Sequence, residues 1–204
     1  ERPCTSFAVN SAKPSEGKSL TAANIAISYA MLGKKVLLID ADMRKPTQRR
    51  LWRVEKPTGL CDFLAKISKL ELDKVKDLPL WIVCTGTIPP NPSELLSSER
   101  MKHFVEESAK VYDYIIIDTP PINTVADAQI VSTYVDGVVL VVKSGDTTED
   151  ELNEAIDAVR RAGGNLCGTV LNDLNMKSVK YAYKYKYGGK YGYKYSYSES
   201  YEAR

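Results

Sequence analysis

Lys18 and Ser19 close the stretch Ser11-Ala12-Lys13-Pro14-Ser15-Glu16-Gly17-Lys18-Ser19, which approximates the loop pattern G-x-x-x-x-G-K-[ST] with Ala12 where the first glycine belongs. A lysine at that place is a point charge for the β- and γ-phosphates of a nucleotide, and the hydroxyl after it suits a phosphate-bound Mg²⁺. Three carboxylates, Asp40, Asp42 and Asp118, stand at or just beyond the ends of apolar runs. Phosphoryl transfer needs these parts together: a phosphate cradle, a divalent cation to offset charge, and a carboxylate to orient or deprotonate the acceptor. The plainer readings are a basic turn capping an ordinary helix, and acids capping neighbouring turns.

The elements that must position these groups are legible around them. The apolar run Phe7-Ala8-Val9 precedes the loop, and a helix-like segment runs from Leu20 to Leu32, stopped by Gly33. Strand, loop and helix in that order aim free N–H groups and the positive helix end at one spot. Val36-Leu37-Leu38-Ile39-Asp40 and Tyr114-Ile115-Ile116-Ile117-Asp118 read as strands buried on both faces, as in parallel sheets. Each ends in a carboxylate at the edge where open α/β sheets bind ligands. Polar residues from Ala41 to Pro46 follow the first of them.

Further strands are expected at Leu80 to Cys84, Gly137 to Val142 and Leu166 to Leu171. Short helices are expected at Thr58 to Leu64 and Ala126 to Tyr134, and a longer one from Thr148 to Ala162, ended by Gly163-Gly164. Leu70 to Leu78 reads as weakly helical or loop. Gly86 to Pro92 reads as a turn-rich loop ending in a helix start: Asn91 as N-cap, Pro92 at the first position and Glu94 for a capping box. That helix is expected to run to about Ala109, burying Leu95, Leu96, Met101, Phe104 and Val105. The alternation implies an α/β fold: a doubly wound, mainly parallel sheet with helices on both faces over residues 1–175, followed by a tail at 176–204.

Composition narrows the classes. The 204 residues are 44% hydrophobic, enough for one sizeable core. No apolar run nears the roughly 20 residues that span a bilayer, and no signal peptide opens the chain. Cys4, Cys61, Cys84 and Cys167 form no C-x-x-C pair, so reduced thiols in cytosol are expected rather than a zinc cluster or disulfide framework. The single His103 has no evident Ser or Cys partner and reads as a surface residue. Net charge is +2; from Met176 onward six Lys and one Arg against two Glu make +5, which leaves −3 for the rest. The basic balance therefore belongs to the tail and says little about a nucleic-acid face on the body, and no nucleic-acid partner is expected.

Tyr181, Tyr183, Tyr185, Tyr187, Tyr191, Tyr193, Tyr195, Tyr197 and Tyr201 crowd that tail, among Lys, Gly and Ser. A β-hairpin, a stacking platform for single strands and an exposed phosphoacceptor cluster all fit the pattern. The last gains a purpose from the phosphate loop. Each added phosphate carries about −1.5 to −2 charge at neutral pH, so modification reverses the sign of the tail.

Three stretches together carry a family resemblance: Ser11 to Ser19, Val36 to Arg44, and Ile115-Ile116-Ile117-Asp118-Thr119-Pro120-Pro121. They resemble the Walker A, Walker A′ and Walker B boxes of the bacterial tyrosine kinases that accompany capsule and exopolysaccharide synthesis. Pro89-Pro90-Asn91-Pro92-Ser93-Glu94-Leu95-Leu96 and the tyrosine-rich end are similar to that family as well. The resemblance implies a kinase that uses ATP and Mg²⁺ to phosphorylate its own tail, between subunits. Residues Ala12, Lys13, Pro14, Ser15, Glu16, Gly17, Lys18, Ser19 and Leu20 would then hold the nucleotide, with Asn172 at the adenine. Ser19 and Asp118 would hold the metal, Asp40 would face the acceptor as base, and Asp42 would be either a second base or a metal-linked partner; Lys18, Asp40 and Asp42 form the implied catalytic set.

Lys13 falls where relatives of the MinD and ParA type place a lysine that reaches across a dimer, or it is a solvated loop charge. The resemblance further implies a membrane-embedded activator protein, a cognate protein-tyrosine phosphatase, and a cytoplasmic chain recruited to the inner face of the plasma membrane. Ala12 and Ser15 depart from the glycines frequent in such loops. The family's E-x-x-R-x-x-R assembly motif is not found ahead of the first strand, which leaves homo-oligomer and ring formation open. A MinD- or ParA-like ATPase switch and a non-catalytic export scaffold are the rival readings.

Overall fold

The structure is a computed structural model that describes residues 4–174. The tail and its nine tyrosines lie outside the described residues. Seven strands form one sheet in the order β3-β4-β2-β5-β1-β6-β7. They are β1 (Ser6–Ser11), β2 (Val36–Asp40), β3 (Asp73–Lys74), β4 (Leu80–Val83), β5 (Tyr114–Asp118), β6 (Gly137–Lys143) and β7 (Leu166–Asn172). Every neighbouring pair is parallel except β3 with β4. The apolar runs become the central strands because each has a covered face on both sides: β2 is buried at all five positions, and β5 at four.

The first helix, α1 (Lys18–Met31), buries Ala22, Ala23, Ala26 and Ala30. Small side chains at helical spacing let its backbone lie close on β1, β2 and β5. Leu32 and left-handed Gly33 (φ 77°) end it where expected. On the opposite face lie α6 (Asp127–Ser132) and α7 (Glu149–Arg161) with the pair α4 (Pro92–Ser97) and α5 (Glu99–Ser108). Residues of alternating parity in the strands therefore feed two apolar clusters: Leu37, Ile39, Ile115 and Ile117 in one, Val36, Leu38 and Ile116 in the other.

Three expectations need correction. Residues 92–109 form two helices, because Ser98 is extended (φ −64°, ψ 146°) and starts α5 afresh, accepting the Met101 N–H at 3.2 Å. Asn91 makes no capping bond to the backbone; its amide donates to the Glu94 carboxylate instead. Within 70–78 a two-residue edge strand, β3, replaces helix or loop. Strand β7 is half-exposed along its length because it is the other edge of the sheet. Two short helices complete the chain, α2 (Gln48–Trp52), which the pattern did not announce, and α3 (Leu60–Leu64).

Candidate active site

Parallel pairing sets the chemistry-bearing residues along one rim. Val9 of β1 and Asp40 of β2 both stand opposite Asp118 of β5, so the phosphate loop and two of the acids leave the sheet side by side. This is the carboxyl edge of the strands, where the crossovers run in different directions from β1.

The loop closes without its first glycine. Ala12 is packed in the core at 3% exposure and lines neither of the two cavities described below. Its neighbours hold the turn: the Ser11 hydroxyl donates to the Lys13 carbonyl at 2.8 Å, and the Lys13 N–H donates to the Glu16 carboxylate at 2.9 Å. Glu16 is fully enclosed and also receives the Thr147 hydroxyl, so its side chain braces the loop and is turned away from the cavity. Ser15 and Gly17 are left-handed, at φ 68° and 89°. Gly17 is required twice over, since a Cβ there would lie 2.0 Å from Asn172 Nδ2. That same amide donates to the Glu16 carbonyl at 3.0 Å, which brings the end of β7 onto the loop.

Lys18 reaches the acids. Its Nζ lies 2.9 Å from Asp42 Oδ2, 3.4 Å from Asp118 Oδ1 and 3.1 Å from the Ser19 hydroxyl. Burial pulls the ammonium pKa down, but Asp118 and Asp42 outweigh it and the net direction is up. Asp118 is fully enclosed and shifted upward by burial, against the pull of Lys18. Its second oxygen accepts Gln48 Nε2 at 2.9 Å. Asp40 lies behind both, also at 0% exposure, with burial and then Asp118 pushing its pKa up to about 8. It accepts the backbone N–H groups of Asp42, Thr47 and Gln48 at 3.2, 3.2 and 3.0 Å, so it shapes the turn that presents Asp42. Asp42 in turn accepts the N–H groups of Arg44 and Lys45.

A cavity of about 430 Å³ opens in front of this group, walled by Gly17, Lys18, Ser19, Asp42, Arg44 and Pro121 among others. Pro14, Ser15 and Leu20 also line it; Lys13, Asp40 and Asp118 do not. Lys13 is bound to its own chain, 3.0 Å from the Asp146 carbonyl and 3.0 Å from Glu151 Oε2. Asn172 lines a second cavity of about 540 Å³, between α1 and the β6–β7 edge, with Thr21, Asn24, Phe7 and Tyr29. Among the described residues no three acid, cysteine or histidine side chains make a ready cation cage. Asp42 on the cavity wall and the Ser19 hydroxyl beside Lys18 are hard oxygen donors of the kind that Mg²⁺ takes together with phosphate oxygens and waters.

Sequence reasoning missed several supports. Gln48 is fully buried and bridges the Ser19 carbonyl and Asp118. Arg44 grips the enclosed Asp127 with two bonds of 2.8 and 3.1 Å, and Ser93 donates to the same carboxylate at 2.6 Å. The D-x-D-x-R run signalled Arg44, and Pro92-Ser93 signalled a shared stretch, but nothing in the sequence paired them with Asp127.

The comparisons with known proteins agree with this fold. Residues 5–165 match the AAA domain family. The tyrosine-protein kinase YwqD of Bacillus subtilis (strain 168) is 44% identical over 186 residues, covering 90% of this chain and 78% of that protein. The chain belongs to the bacterial tyrosine-protein kinases. The kinase domain of the Escherichia coli tyrosine kinase ETK superposes with a TM-score of 0.82 at 32% identity, over 87% of this chain and 71% of that one. The septum site-determining protein MinD of Pyrococcus horikoshii OT3 superposes with a TM-score of 0.69 at 20% identity, over 82% of this chain and 69% of that one, and shares the fold. This bacterial tyrosine kinase therefore carries its three sequence boxes on the parallel-sheet fold expected of them.

Proposed function

We propose that this kinase transfers the γ-phosphoryl group of ATP, with Mg²⁺, to tyrosines of its own tail carried by another copy of the chain. The observation that carries the proposal is the Lys18 ammonium, 2.9 Å from Asp42 and 3.4 Å from Asp118 at the end of the 430 Å³ cavity. Three enclosed or nearly enclosed acids face one lysine here; burial first, and then the neighbouring Asp118 charge, shift Asp40 upward. A divalent cation at that spot would offset the excess of carboxylates over ammonium.

Backbone N–H groups from Ser15 to Ser19 and the Lys18 ammonium hold the phosphates. Ser19, Asp42 and Asp118 supply hard oxygen donors for Mg²⁺, which when bound offsets charge on the transferred group. The Asp40 and Asp42 pair receives the phenolic proton; Asp42 is the member open to the cavity and Asp40 the enclosed one behind it. Asn172 keeps its carbonyl oxygen for the exocyclic amine of adenine, since its amide is spent on Glu16. The acceptors are Tyr181, Tyr183, Tyr185, Tyr187, Tyr191, Tyr193, Tyr195, Tyr197 and Tyr201.

The setting we assign is capsule or exopolysaccharide synthesis, on the strength of relatives such as the putative tyrosine-protein kinase in the cps region of Klebsiella pneumoniae. The chain would work in the cytoplasm at the inner face of the membrane, through a membrane-embedded activator, with a protein-tyrosine phosphatase to reset it. No helix among the described residues is long and apolar enough to cross a membrane. The test mixes an active chain ending at residue 175 with a full-length Lys18→Met chain, Mg²⁺ and labelled ATP. Label on tyrosines of the full-length chain supports transfer between copies; none there, with label on full-length active chain alone, overturns it. Free phosphate without phosphotyrosine in any mixture would favour the MinD-like switch.

A further inference from the structure

At the opposite end of the sheet from the phosphate loop, two cysteines approach one another across a glycine. Gly137 opens β6 between β1 and β7. A Cβ placed on it would lie 2.2 Å from Cys167 Sγ and 3.0 Å from Cys4 Sγ. The two sulfurs therefore lie no farther apart than those distances laid end to end. Both occupy space that any side chain at 137 would fill.

The surroundings fit this arrangement. In the pairing of β6 with β7, Val138 stands opposite Leu166 and Val139 opposite Gly168, so Cys167 is the extra residue of a bulge. Bulges re-aim side chains, and this one carries a thiol back over the neighbouring strand. Asp136 fixes the other partner's backbone. Its carboxylate accepts the N–H groups of Thr5 and Ser6 at 2.9 and 2.8 Å and both their hydroxyls at 3.1 and 2.8 Å. Cys4 lies two residues ahead of Ser6, the first residue of β1 in its ladder with β5. All four cysteines are thiols, with Cys167 exposed, Cys4 half-buried, and Cys61 and Cys84 buried. Among the described residues no third acid, histidine or cysteine completes a metal set.

We propose that Cys4 and Cys167 are an oxidisable pair that forms a disulfide over Gly137 when the chain meets a peroxide. Cys167 gives its proton to solvent and its thiolate attacks a peroxide oxygen; the O–O bond breaks, an S–O bond forms to give the sulfenic acid, and the departing hydroxide takes up a proton from solvent as water. Cys4 sulfur then attacks Cys167 sulfur; the S–S bond forms, the S–O bond breaks, and the departing hydroxide takes the Cys4 proton as a second water. Two thiols lose two electrons and one hydrogen peroxide gains them. The order follows from access: burial, then the neighbouring Cys167, push the Cys4 thiol up to about 12, which makes it the resolving partner rather than the first attacker. The bond joins the base of β1, which runs into the phosphate loop, to the base of β7, which ends at Asn172. It thereby ties together the two strands whose far ends meet at Gly17.

The test exposes the folded chain to hydrogen peroxide, blocks remaining thiols with iodoacetamide, and maps peptides without reductant. The expected product is a Cys4–Cys167 cross-linked peptide pair, lighter by two hydrogens and lost on reduction, while Cys61 and Cys84 are alkylated only after unfolding. In Gly137→Ala the new methyl displaces the Cys167 thiol, and the yield of that cross-link falls several-fold. In Cys4→Ser, peroxide drives Cys167 to sulfinic acid or to bonds between chains. Cys167 going to those products in the unaltered chain, with Cys4 still alkylatable, would overturn the proposal. So would an equal yield of an intrachain disulfide in Cys4→Ser. Neither result depends on kinase activity, so this pair stands or falls apart from the function proposed above.

Discussion

Lys18 is the residue on which the site turns, because it is the cation set among Asp42, Asp118 and Asp40. Lys18→Met removes both the phosphate contact and the partner of two nearly enclosed carboxylates. Phosphotyrosine formation should fall by roughly 10²–10³-fold or more, the scale of losing one aimed charge in a water-poor site. Asp42→Asn should lower transfer by roughly 10²–10⁴-fold, as expected when a proton acceptor is lost, and should weaken nucleotide affinity more with Mg²⁺ than without it, because the same carboxylate is a donor for the cation. Kinetics on both variants, with binding followed by calorimetry, check this.

Asp40 predicts a pH dependence of stability. Its ordinary pKa is 3.8 and its folded value about 8, so between those limits the folded chain holds a proton that the unfolded chain has released. Stability without nucleotide should therefore fall as pH rises through that window, and Asp40→Asn should flatten the fall. Thermal melts across the range decide it; an unchanged slope in Asp40→Asn would place the titration elsewhere. Asn172→Ala should weaken adenine nucleotide binding by about 1 kcal/mol, the worth of one hydrogen bond.

Among the elements, α7 is the clearest case of local sequence dictating structure. Thr148 accepts the Glu151 N–H at 3.2 Å and Glu151 returns a bond to the Thr148 N–H at 2.8 Å, a reciprocal cap. Thr148→Ala should cost about 1 kcal/mol, measurable as a lower urea midpoint. Glu151 also anchors Lys13, so the cap reaches the phosphate loop. The break between α4 and α5 was illegible for the opposite reason. Ser98 and Ser97 tolerate helix, and the apolar spacing of Leu95, Leu96, Met101 and Val105 suits one helix or two; packing of α4 against α6 and of both helices into the core decides it. Gln48 and Asp127 were missed for a similar reason. Each is a polar residue on a short helix whose importance comes from a partner distant in sequence, Asp118 for one and Arg44 for the other. By contrast, strands ending in acids beside a lysine loop were readable, because an unbroken apolar run and its carboxylate are both local features.

In the whole molecule, the site is a consequence of strand order. The sequence shows strands but not that β5 lies between β1 and β2, and only that order sets Asp118 beside both Asp40 and the start of the loop. Loop, acids and Asn172 come from strands far apart in the chain, so the sheet core is what holds the kinase geometry. Truncating the fully buried Ile116, at the centre of β5, to Ala should cost roughly 2–5 kcal/mol and loosen the site with the fold. The most direct test of the whole account is phosphoamino-acid analysis of the full chain after incubation with labelled ATP and Mg²⁺, alongside Lys18→Met. The account predicts label on tyrosine in the native chain and almost none in the variant. Equal labelling of the two, or label released wholly as free phosphate, would contradict it.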